Sequence, residues 1–171
     1  MDVKNLDTGA VFSRCQRYRY LLWRTWDSAR PFVTIIGLNP SRADATHNDP
    51  TIRRCQQFAM DWGFGGVYVV NLFAYRSPYP EKLRQYYRPV GPENDQYIQQ
   101  AIHDAERTVL AWGNDGHWRG RDRKVLSWID QPWCVKQNKT GQPAHPLYQP
   151  ASAKIKPFNK ALLLNDKDRP I

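Results

Sequence analysis

A single stretch decides the fold, the residues VTIIGLNPS at positions 33–41. Its first four residues are all β-branched and predict a strand that is buried on both faces. The Gly, Asn, Pro and Ser that follow end this strand abruptly and expose backbone and short polar groups. In an open α/β sheet, ligands bind just outside the carboxyl ends of such strands. The stretch therefore predicts either an ordinary turn or the first wall of a binding site.

The rest of the chain alternates between helical and strand patterns. Asp49 and Pro50 predict a helix start, because Asp is a good N-cap and Pro suits the first helical turn. Apolar residues then recur at helical spacing as far as Gly63, where we expect the helix to end. A strand, helix and strand of such lengths form a right-handed crossover, which makes the two strands parallel. The same signals predict strands at 67–73, 108–112 and 133–136, helices at 93–105 and 117–129, and a long surface loop at 74–92.

Residues 14–26, RCQRYRYLLWRTW, place aromatic and aliphatic side chains in rough alternation with Arg. This pattern predicts a strand with one basic, solvated face. Turn residues follow at 27–31, so we expect the strand to pair antiparallel with 32–36.

A chain of 171 residues is long enough for one domain with a substantial core. We expect this single domain to have its core at about 14–150 and a polar tail without an assigned role at 151–171. The predicted fold class is α/β. It is a three-layer α/β/α arrangement with a short, mainly parallel central sheet and one added N-terminal antiparallel strand.

The composition favours a basic, soluble protein. The formal net charge of +9 suggests an anionic partner, although charge alone does not distinguish nucleic acid, nucleotides and a membrane surface. Three cysteines, at 15, 55 and 134, are too scattered for a disulfide framework or a metal site, which suits a reducing cytoplasm. We find no signal-peptide pattern and no apolar run near the roughly 18 residues of a membrane span. We expect a cytoplasmic protein that needs no metal or other cofactor and meets no membrane.

Four polar loops are expected to meet at one edge of the predicted sheet, because the carboxyl ends of parallel strands lie together. Asn39 and Asn71 each follow a buried strand and would therefore be neighbours. An Asn side chain offers a donor and an acceptor on one planar group, which is what discrimination between pyrimidine edges requires. The four loops are GLNPS at 37–41, NLF at 71–73, WGNDG at 112–116 and HPL at 145–147.

In this order, four segments resemble the motifs of the uracil-DNA glycosylase superfamily. They are GLNP at 37–40, VVNL at 69–72, LAWG at 110–113 and, as a partial match, HPL at 145–147. The combination GLNPSxADxxxxDPT also resembles an uncharacterised bacterial and phage family of unknown function, which we interpret as a remote branch of that superfamily. The resemblance implies a three-layer α/β/α fold with the active site at the carboxyl edge of its parallel sheet.

The resemblance also implies a reaction. It predicts a DNA glycosylase-like hydrolase that cleaves the N-glycosidic bond of uracil or a modified pyrimidine, flipped out of DNA, in repair or phage defence. The expected partner is duplex or single-stranded DNA, and the expected state is a monomer. Two alternatives stay open, a catalytically silent nucleic-acid or nucleotide-binding module on the same fold, and an enzyme that acts on free nucleosides or nucleotides.

Three residues are predicted to carry the chemistry under this resemblance. Asn39 and its neighbouring backbone would hold the attacking water, and His145 would donate a hydrogen bond to the negative charge that develops on a base oxygen. Asp44 would activate water or bind a metal, whereas Asp49 is expected to cap its helix. Ser41 stands where the uracil enzymes have a Tyr that blocks thymine, which implies a pocket for a larger or modified base.

Two further groups of residues are predicted to contact the substrate. The aromatic wall expected beside a flipped base is Phe73, Tyr75 or Trp112, and the pattern does not choose between them. The residues expected to bind the substrate are Gly37, Leu38, Pro40, Ser41, Asn71, Phe73, Tyr75, Trp112 and Asn114. The residues expected to bind the nucleic-acid backbone are Arg42, Arg53, Arg76, Arg119, Arg121 and Lys139. A solvated helix face is the commoner explanation of a residue such as Arg53.

Overall fold

A seven-stranded sheet forms the centre of the fold in the computed structural model, which describes residues 7–163. The strands are β1 Asp7–Phe12, β2 Arg19–Thr25, β3 Phe32–Gly37, β4 Gly66–Asn71, β5 Arg107–Leu110, β6 Pro132–Cys134 and β7 Lys156–Pro157. Their order across the sheet is β1-β2-β4-β3-β5-β6-β7. The central strands β4, β3, β5 and β6 are parallel, and the outer strands β1, β2 and β7 are antiparallel to their neighbours.

Helices cover both faces of this sheet. The α-helices are α1 Pro50–Asp61, α2 Pro80–Gln85, α3 Asn94–Asp104 and α4 Arg121–Leu126. Short 3-10 helices occupy Asn114–Gly120, Pro146–Tyr148 and Lys160–Leu162. The predicted start of α1 is confirmed, because the Asp49 carboxylate accepts a hydrogen bond from the Ile52 N–H at 2.9 Å. No helix within residues 7–163 is long and apolar enough to cross a membrane.

The two faces of the sheet build two separate apolar layers, since successive residues of a strand point to opposite sides. Ile35 packs on one side with Ile52 from α1. Ile36 packs on the other side with Ile98 from α3 and Val125 from α4. The predicted three-layer α/β/α fold is therefore confirmed, and the four β-branched residues at 33–36 are buried on both faces as expected.

The predicted pairing of the N-terminal strand with 32–36 is wrong. β2 lies between β1 and β4, with Leu22 opposite Val69, while β3 has β4 and β5 on its two sides. Both sides of β3 are thus taken by parallel strands, which leaves no edge for β2. The edge strand β1 was not predicted. It fits there because Gly9 lacks a side chain, and a Cβ at this residue would lie 2.1 Å from the Trp23 ring.

Two other predicted segments differ from the structure. The expected loop at 74–92 contains the short helix α2, which begins at Pro80. The expected helix at 117–129 is broken into a 3-10 helix and α4 by a kink at Trp118 and Arg119, where the backbone of Arg119 is left-handed with φ of 54°. The tail, which had no assigned role, adds β7 to the sheet, and its residues 164–171 lie outside the described part of the chain.

Candidate functional site

A cavity of about 530 Å³ opens at the carboxyl edge of the parallel strands. The turns after β3, β4 and β5 meet there with the turn at 145–148 and the start of α1. The predicted meeting of four loops is therefore confirmed, and Asn71 lies directly opposite Gly37 in the β3–β4 register. The predicted site residues that line the cavity are Gly37, Leu38, Asn39, Pro40, Ser41, Arg42, Asn71, Trp112, Asn114 and His145.

Asn71 lines this cavity and carries an unsatisfied donor. Its side chain is only 4% exposed, and its Nδ2 has no hydrogen-bond partner within residues 7–163. The absent side chain of Gly37 leaves room for this amide, because a Cβ at Gly37 would lie 2.8 Å from the Asn71 Oδ1. A buried donor without a partner costs about 1–3 kcal/mol of folding free energy. A residue that lines the cavity thus keeps an amide nitrogen that has no acceptor within residues 7–163.

Asn39 holds two of the loops together. Its Nδ2 donates hydrogen bonds to the carbonyl oxygens of Pro40, Tyr75 and Ser77, at 3.2, 3.3 and 3.1 Å. Within residues 7–163 its Oδ1 has no hydrogen-bond partner, so this oxygen is the part of the side chain that can accept from a water or ligand. An amide oxygen orients a water but does not take its proton as a carboxylate does.

His145 presents one nitrogen as a hydrogen-bond donor. Its Nδ1 accepts from the Leu147 N–H at 3.2 Å, and this bond requires the tautomer that carries its proton on Nε2. Burial lowers the pKa of His145 below its usual 6.5, which keeps the ring neutral near pH 7. The loop is fastened to the turn after β5 by the hydrogen bond from the Gly113 N–H to the Pro143 oxygen, at 2.9 Å.

Asn114 and Trp112 belong to the turn after β5, and hydrogen bonds hold both side chains to other parts of the chain. The Asn114 Oδ1 accepts hydrogen bonds from Asn138 and Thr140, which ties the turn after β5 to the loop at 137–141. Trp112 is fully buried, and its Nε1 donates to the Gln142 Oε1 at 2.8 Å. Both residues therefore line the cavity while being held by other parts of the chain.

Of the three aromatic residues expected at the cavity, Trp112 lines it and the other two do not. Phe73 is buried against Trp118, with ring centres 4.9 Å apart, and Tyr75 stacks on Tyr86 at 4.0 Å. Neither ring lines the cavity. The exposed aromatic residue at the rim is Tyr148, which is 83% exposed and was missed because it follows the last recognisable motif.

The two acids near the first loop have structural partners. The Asp49 carboxylate accepts from the N–H groups of Ile52, Arg42 and Ala43 and lines the cavity as a cap of α1. Asp44 does not line the cavity. Hydrogen bonds from the backbone N–H groups of its own turn lower the pKa of Asp44 to about 2, so it is a weak base. Within residues 7–163, no three His, Cys, Asp or Glu side chains lie close enough together to hold a metal ion.

The six residues predicted to bind a nucleic-acid backbone are dispersed. Arg42 is exposed at the mouth of the cavity. Arg121 is buried, donates from Nε to the Leu72 oxygen at 2.9 Å and pairs with Asp95 at 2.8 Å, so it is a structural residue. The remaining four residues do not line the cavity, namely Arg53, Arg76, Arg119 and Lys139.

Arg19 lines the cavity and was missed by sequence reasoning. The prediction assigned the arginines of this strand to a solvated face, but Arg19 is 2% exposed and Arg24 is also buried. An antiparallel strand begins where its parallel neighbours end, so the first residue of β2 reaches the carboxyl edge. There the Arg19 N–H donates to the Ala74 oxygen at 3.0 Å, and Nη1 donates to the Ala43 oxygen at 3.2 Å. Burial lowers the pKa of Arg19 to about 10.

Comparison with known proteins identifies one matching family. Residues 19–147 match the family described as "Protein of unknown function (DUF1643)". The match begins at Arg19 and ends at Leu147, so it contains all four loops of the cavity. No curated protein and no solved structure matches the chain.

Proposed function

The chain belongs to the DUF1643 family of proteins of unknown function, and we propose that it is a DNA glycosylase-like hydrolase that cleaves the N-glycosidic bond of uracil or a modified pyrimidine. One observation carries the proposal: Asn71 lines the cavity, and its buried Nδ2 has no hydrogen-bond partner within residues 7–163. A pyrimidine carbonyl oxygen is an acceptor that satisfies this donor. The cavity volume of about 530 Å³ lies in the range of small-molecule sites, and the net charge of +9 favours an anionic partner, of which DNA is one.

The residues of the cavity divide the reaction between them. The bond between C1′ of the sugar and the ring nitrogen breaks, and the electron pair leaves with the base. Water adds to C1′, and the proton that this water loses ends on the released base by way of solvent. Asn71 donates to a base oxygen, and the Nε2–H of His145 stabilises the negative charge that develops on the leaving base. The Oδ1 of Asn39 orients the attacking water. Because no carboxylate takes the proton of that water in this arrangement, we expect turnover to be slow.

The rim of the cavity suits a base that leaves a stacked duplex. Leu147 and Tyr148 are exposed beside the opening, and an aromatic or apolar side chain can fill the place of an extruded base. Arg42 is exposed at the same mouth, where it is available to a phosphate. The three free cysteines favour a reducing cytoplasm as the place of action.

A second function is favoured by Asn39. Its amide nitrogen is fully engaged with the carbonyl oxygens of Pro40, Tyr75 and Ser77, as in a residue whose role is to hold loops together. A catalytically silent nucleic-acid-binding module on the same fold would keep this bond network and lack the reaction.

The deciding experiment is a mass-spectrometric search for a free base. The purified chain is incubated with DNAs that carry uracil, hydroxymethyluracil and hypermodified pyrimidines, and with the matching free nucleosides. We expect a base to be released from at least one DNA by the wild type and by Asn159→Ala, an exposed control that does not line the cavity, and not by Asn71→Leu or His145→Ala. If every DNA stays intact while an Asn39→Ala, His145→Ala double variant binds DNA as tightly as the wild type, the binding module is the better account. If a base is released from the free nucleosides and from no DNA, the substrate is a free nucleoside.

A further inference from the structure

Buried arginines in this chain fall into two kinds. Arg24, on β2, has every nitrogen engaged. Its Nε donates to Asn48 at 3.0 Å, Nη1 to the Trp23 oxygen at 2.8 Å and Nη2 to the Asp44 oxygen at 2.7 Å. Arg19, on the same strand, is equally buried, yet its Nε has no hydrogen-bond partner within residues 7–163.

Arg121 confirms that the contrast is not a general property of buried arginines in this fold. It is 4% exposed, and it combines a hydrogen bond to a backbone oxygen with an ion pair to Asp95 at 2.8 Å. Arg24 and Arg121 do not line the cavity, whereas Arg19 does. Among these three buried arginines, the one with an unsatisfied nitrogen is thus the one that lines the candidate site. The half-buried Arg54 also has an Nε without a partner within residues 7–163, but it does not line the cavity.

Among the described residues, the charge of Arg19 has no ion-pair partner. Asp49 is a carboxylate whose field favours the charged form of Arg19, but within residues 7–163 no carboxylate oxygen pairs with the guanidinium. Both oxygens of Asp49 accept from backbone N–H groups instead. An unpaired buried charge is costly, and the cost is removed by a ligand that brings an anionic oxygen.

We propose that Arg19 is the anion receptor of the cavity, and that the ligand carries a negative charge into it, as a phosphate or as an acidic substituent on the base. The planar guanidinium binds carboxylate or phosphate oxygens through parallel N–H donors. Arg19 then recognises the anion while Asn71 recognises a neutral carbonyl oxygen. That the ligand contains a nucleoside rests on the proposed function. That the ligand carries a negative charge does not.

The test is a calorimetric titration of the full chain at fixed ionic strength. The probes are inorganic phosphate, deoxyuridine monophosphate, 5-carboxy-deoxyuridine and neutral deoxyuridine. The variants are Arg19→Gln, Arg19→Lys and Arg30→Gln, which removes one exposed positive charge from the turn at the opposite edge of the sheet. We expect an anionic probe to bind the wild type at least tenfold more tightly than deoxyuridine. Arg19→Gln should abolish this preference, Arg19→Lys should restore part of it, and Arg30→Gln should leave it unchanged.

Preference for the two phosphate probes identifies a phosphate as the source of the charge, and preference for the carboxylated nucleoside identifies the base. Both results support the proposal. It is overturned if the wild type binds no anion in preference to deoxyuridine, or if Arg19→Gln binds the anions as well as the wild type does. Should Arg19→Gln fail to fold, the melting temperature of the wild type decides, because anionic probes must raise it by more than deoxyuridine does at the same concentration.

Base release, measured on the same samples, separates this inference from the proposed function. If anion binding depends on Arg19 and every DNA stays intact, the anion-receptor proposal stands and the hydrolase proposal fails. If a base is released but no anion is preferred, the hydrolase proposal stands and the anion-receptor proposal fails.

Discussion

Gly37 and Asn71 lie opposite each other in the parallel pair β3 and β4. The Asn71 amide occupies the space that a side chain at Gly37 would take. A Cβ on Gly37 would lie 2.8 Å from the Asn71 Oδ1. The atom in conflict is the end of a side chain rather than backbone, so the amide can move while the fold stays intact. Gly37 therefore controls where the Asn71 amide lies.

We predict that Gly37→Ala lowers base release or ligand affinity at least tenfold and changes the free energy of unfolding by less than about 1 kcal/mol. The matched control is Gly63→Ala, where φ is +90° and no atom lies within 4 Å of the new Cβ. That variant should lose about 1 kcal/mol of stability through backbone strain and keep its ligand affinity. Urea unfolding and calorimetric titration of the two proteins check both statements. Equal losses of affinity in both variants would contradict the role assigned to Gly37.

Asn71→Leu is expected to abolish recognition of the base without loss of stability. Replacing an unsatisfied buried donor with an apolar group of similar shape is close to neutral or stabilising. The control is Asn94→Leu. Asn94 is also fully buried, but its Nδ2 donates to the Asn71 and Leu72 oxygens at 2.9 and 3.2 Å. Its loss should cost about 1–3 kcal/mol in urea unfolding. A destabilisation of Asn71→Leu as large as that of Asn94→Leu would show that Asn71 is structural.

His145 should make both stability and activity depend on pH in the acid range. Burial lowers the folded-state pKa of His145 below the usual 6.5, so below about pH 6.5 the unfolded chain binds the proton first. Stability is then full above about pH 6.5 and is lost as the pH falls toward the folded-state pKa. Protonation of Nδ1 also breaks the bond to the Leu147 N–H, which removes the fixed tautomer.

The measurement is the free energy of unfolding against pH for the wild type and for His145→Gln. The wild type should lose more stability than the variant between pH 6.5 and the folded-state pKa, and base release should fall over the same range. Curves of identical shape for the two proteins would exclude a lowered pKa at this residue.

Tyr148→Ala should weaken DNA binding and leave the fold unchanged. The ring is 83% exposed at the rim, and its contact with the His145 ring, with centres 5.5 Å apart, is the only ring contact that it makes within residues 7–163, so its removal costs little packing. Stacking of a base on an aromatic ring contributes about 1–3 kcal/mol, which corresponds to a loss of roughly five-fold or more in affinity. Tyr87 is 70% exposed and does not line the cavity, so Tyr87→Ala is the matched control and should bind DNA normally. Fluorescence anisotropy with a labelled oligonucleotide checks both variants, and equal affinities would remove Tyr148 from the interface.

The local sequence determined the parallel centre of the sheet and the edge at which the loops meet. The β-branched run at 33–36 and the cap at Asp49 act through neighbouring residues, so their patterns predict the strand, the helix and the turn between them. Asn39 and Asn71 follow from the same reasoning, because parallel strands bring their carboxyl ends together.

Tertiary structure alone decided which strand lies beside which, and through this the electrostatics of the cavity. The alternating pattern of 14–26 records the period of a strand but not its partners. With β2 between β1 and β4, the loop at 43–48 covers Arg19 and Arg24, and its backbone oxygens at Ala43 and Asp44 accept from the two guanidinium groups. This strand order also brings the first residue of an antiparallel strand to the edge where the parallel strands end. The charge inside the cavity therefore depends on a long-range pairing that no local pattern contains.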